Sequence, residues 1–220
     1  MSSSWPKIIW KNSGEDGVNP SCELGEVITR NLHTRMAPFE FKEEFLKPNA
    51  GDRVSQQELR SVLEGERFVS KTGLHDNNIA TGDVFTKSGK KKLYINIRAE
   101  CDCIPDRSKK GATIDDVQLY FLVAEKLSHK DEDGLYSKKR GNFAETDGEC
   151  IVFCMHGNHT YRVKFNKLEI ITWAEIKDKR IGRLLPPYIT RVQQRYSLYL
   201  QRQGLPRTPQ EAVGPVNQSV

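Results

Sequence analysis

The chain has 220 residues, 37% of them hydrophobic and 29% charged, and a formal net charge of +5. That is enough apolar and aromatic material for a packed core, which excludes a wholly disordered chain and allows one large domain or a small helical domain joined to a β domain. No apolar run approaches the ~20 residues of a membrane-spanning helix, Met1 to Pro6 lack the apolar stretch of a secretory signal, and five cysteines are an odd number for a disulfide scaffold, so the expectation is a cytoplasmic protein without membrane contact.

Residues 1–19 read as an irregular arm with a short strand at 7–10. Asn19-Pro20-Ser21 offers a helix start, and Leu24, Val27, Ile28, Leu32 and Met36 then follow on one helical face up to Pro38. A second short helix is expected over 39–46, stopped by Lys47-Pro48. Ser55-Gln56-Gln57-Glu58 is a capping-box pattern, with Leu59, Val62 and Leu63 as the apolar stripe behind it. Residues 20–72 therefore read as a helical subdomain.

From Gly73 the period changes. Residues 83–86 and 93–98 are strand-like around a Lys87-Ser88-Gly89-Lys90 turn. After a polar, basic loop at 105–112, Leu119, Phe121 and Val123 alternate with Tyr120, Leu122 and Ala124, which predicts a strand buried on both faces. Residues 131–148 carry charge without apolar period and read as a mobile loop. Residues 150–156 and 160–165 form an expected hairpin around Gly157-Asn158, and 168–176 a further strand. Five or six short strands suit a small antiparallel β barrel. The expected fold is α+β: an N-terminal helical subdomain, then a barrel with a C-terminal amphipathic helix over 73–207, and a disordered tail over 208–220.

Pro186-Pro187 opens the last helix, and Tyr188, Ile189, Val192, Tyr196, Tyr199 and Leu200 line one side of it, with Gly204 as its stop. The positive charge concentrates at this end. Between Tyr161 and Arg207 stand eleven Lys and Arg against three acids, which leaves the rest of the chain slightly acidic. Arg191, Arg195 and Arg202 share a helical face, and Lys177, Lys179, Arg180 and Arg183 precede the helix. A row of arginines can hold phosphates along a nucleic-acid backbone, and Tyr196 and Tyr199 are candidates for stacking on bases. The same surface suits an acidic protein partner. In the plainer reading the tyrosines cover the barrel and the arginines are solvated.

Residues two or four apart on a strand share a face. Cys101 with Cys103, and Cys150 with Cys154 and His156, are thus candidate ligand groups for one zinc ion. Their spacings are not those of common structural zinc sites, so buried thiols are expected, with no metal and no cofactor. His156-Gly157-Asn158-His159 reads as a turn rather than a His/Asn nuclease motif. A metal-dependent nuclease needs an acid beside an acid-x-Lys, and Asp102-Cys103-Ile104 has no Lys in place. No phosphate-binding loop, dinucleotide fingerprint or nucleophile elbow is present.

Gly82-Asp83-Val84-Phe85, followed by the strand at 93–97, resembles the opening of bacterial plasmid-toxin barrels of the PemK/MazF type. The resemblance spans at most residues 82–176. It implies a compact SH3-like barrel and, for many members, metal-independent RNA cleavage by an Arg on one strand and a Ser or Thr on the next. Arg98 matches that Arg, and no Ser or Thr is fixed as its partner. Ala99-Glu100-Cys101-Asp102 departs from the small, apolar or hydroxylated run of the toxins. The Cys-Asp step and residues 184–196 are also similar to small uncharacterised bacterial proteins of signalling or phage-defence gene clusters. The expectation is a non-catalytic interaction module of such a bacterial system, binding a protein partner encoded nearby or nucleic-acid backbone through its basic C-terminal region. The alternatives are a metal-independent endoribonuclease of the toxin type and a zinc-stabilised regulator.

Overall fold

The computed structural model describes residues 54–76, 78–87, 92–105 and 110–202, together with the helical positions Gly25, Ile28 and Thr29. The expected arm at 1–19, the helix at 39–46 and the tail at 208–220 lie outside these residues, as does most of the first expected helix. In chain order, α1 (Gln56–Arg67) runs directly into β1 (Phe68–Ser70), and β2 (Asp83–Thr86) and β3 (Lys92–Asn96) form a hairpin. Two 3₁₀ turns, Glu100–Asp102 and Ile114–Asp116, lead to β4 (Gln118–Lys126). Next come α2 (His129–Leu135) and a small hairpin of β5 (Tyr136–Ser137) and β6 (Asn142–Phe143). The long hairpin of β7 (Glu149–His156) and β8 (His159–Thr172) passes into α3 (Trp173–Ile176), β9 (Arg180–Leu184) and α4 (Tyr188–Gln201). Among the described residues no helix is long and apolar enough to cross a membrane.

Seven strands build one antiparallel sheet in the order β1-β9-β2-β3-β4-β8-β7, so the two strand regions expected from alternation share a sheet. It curls into a half-barrel and does not close: β1 and β7 are its two ends. Register breaks accompany the curl. In the β4–β8 pair Leu122 faces Leu168 but Val123 faces Lys164, a bulge that bends β8. The β7–β8 turn is made by Gly157 (φ +59°) and Asn158 (φ +58°), a left-handed pair that these residue types accept readily.

Side chains alternate across the sheet, and both faces are covered. Val84, Ile95, Leu122, Ala124 and Val163 lie under Ile189 and Val192 of α4. Phe85, Tyr94, Phe121 and Val123 face the other way, onto Trp173 and Ile176 of α3. Phe85 stands edge-on to both Phe121 and Trp173, with centroids 5.3 and 6.1 Å away. β4 is thus buried on both faces, as its double alternation predicts.

Four local expectations change. The strand expected over 168–176 stops at Thr172, because Thr172 and Glu175 form a reciprocal capping box that starts α3. Residues 131–148 are ordered as α2 and the β5–β6 hairpin: Tyr136 packs on Phe143 (5.3 Å), and Phe143 on Phe153 (5.6 Å). The sheet begins at Phe68, inside the stretch expected to be a separate helical subdomain. Finally, β9 was not expected as a strand, since its inward positions are Arg180, Gly182 and Leu184 rather than an apolar alternation.

Arg180 is buried because β2 supplies its counter-charge. The Asp83 carboxylate, 0% exposed, accepts from Arg183 Nε at 2.7 Å, Arg180 Nη1 at 3.4 Å and the Ala80 N–H at 3.0 Å. Arg180 also donates to the carbonyls of His75, Asp76 and Asn78 and lies 5.5 Å from the Trp173 ring centre. Beside Asp83, Gly82 adopts φ +90°, and a Cβ there would collide with the Leu184 carbonyl oxygen. The Gly-Asp pair behind the toxin resemblance therefore clamps β2 to β9.

Candidate interaction groove

In α1, Gln56, Arg60, Leu63 and Arg67 recur at spacings of four, three and four, which puts them on one face. Ser55 and Glu58 cap the helix reciprocally. Of the expected apolar stripe, Leu59 and Val62 are turned out, 53% and 71% exposed, whereas Leu63 is half-buried and Arg60 is buried. The reason lies in what Arg60 meets. Its guanidinium grips both oxygens of Glu132 at 2.7 and 3.1 Å, donates from Nε to the Asn158 carbonyl at 2.9 Å, and lies 4.8 Å from the centre of the Phe153 ring. Burial resists ionisation of Glu132, but the bonds and charge of Arg60 outweigh it and hold that carboxyl below its ordinary value. Glu64 ties the same helix to the β7–β8 turn by accepting from the Gly157 and Asn158 N–H groups.

β7 is an end strand, and its outer edge is taken by side chains instead of another strand. Arg195 Nε donates to the Glu149 carbonyl at 3.3 Å, Arg191 Nη1 to that of Ile151 at 3.2 Å, and Arg67 Nη1 to that of Phe153 at 2.9 Å. The Ile151 N–H donates to Glu145 at 2.6 Å. These are alternate residues, the period of one strand edge. Between α1, α2, the β5–β6 hairpin and this edge lies a groove of about 880 Å³. Tyr136, Phe143 and Phe153 supply its aromatic surface, and Ile151 and Arg191 line it at the α4 end.

The lining is balanced in charge, with Arg60, Arg67 and Arg191 against Glu132, Asp133 and Glu145. Arg60 is matched by Glu132 and Arg191 by Glu145 at 2.5 Å. Arg67 differs. Its guanidinium sits 5.6 and 4.9 Å from the Phe153 and Tyr188 ring centres, and among the described residues its buried Nε has no hydrogen-bond partner and no carboxylate pairs with it.

The residues singled out in the sequence scatter around this groove. Arg191 lines it and Arg195 stands beyond its lining, both held by Glu145, at 2.5 and 3.5 Å. Arg202 stacks 3.9 Å over Tyr199 at the far end of α4. Tyr196 and Tyr199 pack on Phe165, with centroids 5.8 and 5.7 Å away, and cover the sheet instead of standing free. Lys177 pairs with Asp115 at 2.9 Å, and Lys179 ends the 3₁₀ turn Lys177–Lys179 that joins α3 to β9. Arg180 and Arg183 are committed to Asp83, and Arg180, 3% exposed, is not presented to a partner.

Arg98 lies 5.1 Å from the Tyr120 ring centre and donates to the Gln118 carbonyl, beside a cavity of about 210 Å³ that also holds Thr113. The Thr113 hydroxyl bonds Asp116 at 2.8 Å, and the Thr81 hydroxyl bonds the Arg98 carbonyl at 2.6 Å, so neither hydroxyl is directed at the Arg98 guanidinium. The candidate zinc ligands are dispersed. Cys101 is exposed on a 3₁₀ turn, and Cys103 is buried beside Asn96. Cys150 lies under Arg191, its thiol pushed up to about 12 by burial. Cys154 is buried at φ +48°, and His156 packs on Phe68. Among the described residues no three His, Cys, Asp or Glu side chains are placed to hold a metal ion.

Arg60, Arg67, Phe143 and Phe153 escaped the sequence reading. The spacing of Arg60 and Arg67 was visible, but arginine does not mark an inward face. No family model matches the chain, and no curated protein is significantly similar to it.

Proposed function

We propose that the protein is a non-catalytic interaction module that takes a short extended segment of a protein partner into the groove beside β7. The observation that carries this reading is Arg67: an arginine without a carboxylate partner among the described residues, lining an aromatic groove along a strand edge. The ligand chemistry follows. A carboxylate on the partner would complete Arg67, and an adjacent aromatic or aliphatic side chain would lie on Tyr136, Phe143 and Phe153. The edge groups of Ile151 and Phe153 are held by side chains that can swing away, so an added strand could replace them. Charge balance in the groove favours a peptide over a polyphosphate chain, and Glu145 already occupies Arg191 and Arg195.

The test is binding of peptides tiled from proteins encoded beside this one, read by fluorescence anisotropy. Loss of a charge-assisted hydrogen bond costs about 1.5–3 kcal/mol. Arg67→Ala should therefore weaken binding roughly tenfold to a hundredfold. Arg202→Ala, remote from the groove, should leave it unchanged. Binding of mixed oligonucleotides that Arg67→Ala and Arg191→Ala both abolish, with no peptide bound, would overturn the protein-partner reading and favour nucleic-acid backbone.

A further inference from the structure

The sheet leaves a second edge in a different condition. β7 ends at Glu149, opposite Lys164, the Phe165 N–H still reaches the Gly148 carbonyl at 3.0 Å, and from Leu168 onward β8 is paired only with β4. The Ile97 N–H donates to the Tyr120 carbonyl and the Trp173 N–H to that of Val117, both at 2.8 Å. Backbone direction alternates along a strand, so Leu119 and Phe121 turn theirs to β8, where they face Ile171 and Glu169. The N–H and C=O groups of Leu168 and Ile170 therefore point away from the sheet, and no described residue pairs with them. Their side chains lie on one face and are 42% and 55% exposed. Bare backbone beside exposed apolar side chains is a template for another strand. The β7 edge is filled by arginines, whereas no described side chain guards this edge.

We propose that residues 166–170 of β8 pair antiparallel with the same residues of a second copy, across a two-fold axis. Three registers centre the axis on residues 168–170, where β8 is paired with β4. Centring on Glu169 sets two carboxylates face to face, which is unfavourable. Centring on Ile170 calls on the Thr172 N–H, already directed at Glu175 at 3.3 Å. Centring on Leu168 puts Lys167 opposite the partner's Glu169, and by symmetry Glu169 opposite the partner's Lys167. Both side chains lie on one face of the sheet, where their present contacts are an exposed 3.4 Å approach of Lys167 to Glu125 and a 3.1 Å pair of Glu169 with Lys87. The Leu168-centred register is thus the one that charge selects. Leu168 meets its counterpart at the axis, and Ile170 lies beside the partner's Asn166.

The full chain should show a monomer–dimer equilibrium in sedimentation velocity across the micromolar range. K167E and E169K each turn two attractions into like-charge oppositions, and each should raise the dissociation constant roughly tenfold or more. An equimolar mixture of the two variants should recover dimer, because every opposition in the mixed pair is again attractive. Hydrogen exchange should show the Leu168 and Ile170 amides protected only in the dimer. A wild-type monomer overturns the proposal, whether those amides exchange freely or are covered from within the chain. So does a dimer indifferent to both variants, or a mixture that stays monomeric.

Discussion

Replacing Asp83 by alanine tests the clamp between β2 and β9. The carboxylate is fully buried and accepts from Arg183 at 2.7 Å, Arg180 at 3.4 Å and the Ala80 N–H at 3.0 Å. Without it Arg180, 3% exposed, keeps backbone carbonyls for its two Nη atoms but loses its counter-charge. Removing one partner of a buried ion pair costs about 3–5 kcal/mol. With a urea dependence of about 2 kcal/mol per molar, the unfolding midpoint should fall by about 2 M. Asp83→Asn keeps the shape and one acceptor and should fall less. Adding Arg180→Met to Asp83→Ala should recover part of the loss, because apolar replacement of a whole buried pair is near neutral. The assay is urea unfolding followed by far-ultraviolet circular dichroism. A midpoint shift for Asp83→Ala below about 0.5 M, or no recovery in the double variant, refutes the reasoning.

Gly82→Ala should destabilise far more than Gly111→Ala: both sites have positive φ, +90° and +81°, but only at Gly82 does a Cβ meet backbone. Melting temperatures compare them, and equal losses would remove the collision from the account. Lys164, ahead of Lys92 and Lys167, holds the Glu125 carboxyl at about 2 against 4.5 for a free one, although burial pushes the other way. A depressed carboxyl stabilises the fold above its unfolded value, and that stability is lost as pH falls through the folded value. Glu125→Gln should therefore be less stable than wild type above pH about 4.5 and converge with it near pH 2; a gap unchanged down to pH 2 counts against this pairing. Native-state alkylation mapped by mass spectrometry should label exposed Cys101 and spare Cys150, whose thiol is pushed up to about 12 by burial. Labelling of Cys150 at the rate of Cys101 would show that it is not enclosed.

Periodic apolar signals were legible in the sequence. The double alternation of 119–124, the Gly157-Asn158 turn, the Ser55 capping box and the stripe Ile189, Val192, Tyr196 and Tyr199 each appear where local pattern puts them. These features depend on residues close in the chain, and one periodicity describes each. What the pattern could not show was the inward use of charge. Arg60 is buried because Glu132 and Asn158 come to it from 72 and 98 residues away, and Arg180 because Asp83 comes from 97 residues away. For the same reason Leu59 and Val62 face outward and β9 went unread. The groove is likewise a product of assembly: its aromatic floor joins Tyr136 and Phe143 from a charged, aperiodic stretch to Phe153 of β7, and its arginines come from helices at opposite ends of the described chain. A guanidinium in a sequence reads as solvent-facing, because burying it alone is costly. Only the folded chain, by bringing a carboxylate, a carbonyl and a ring to the same place, makes the inward position the stable one.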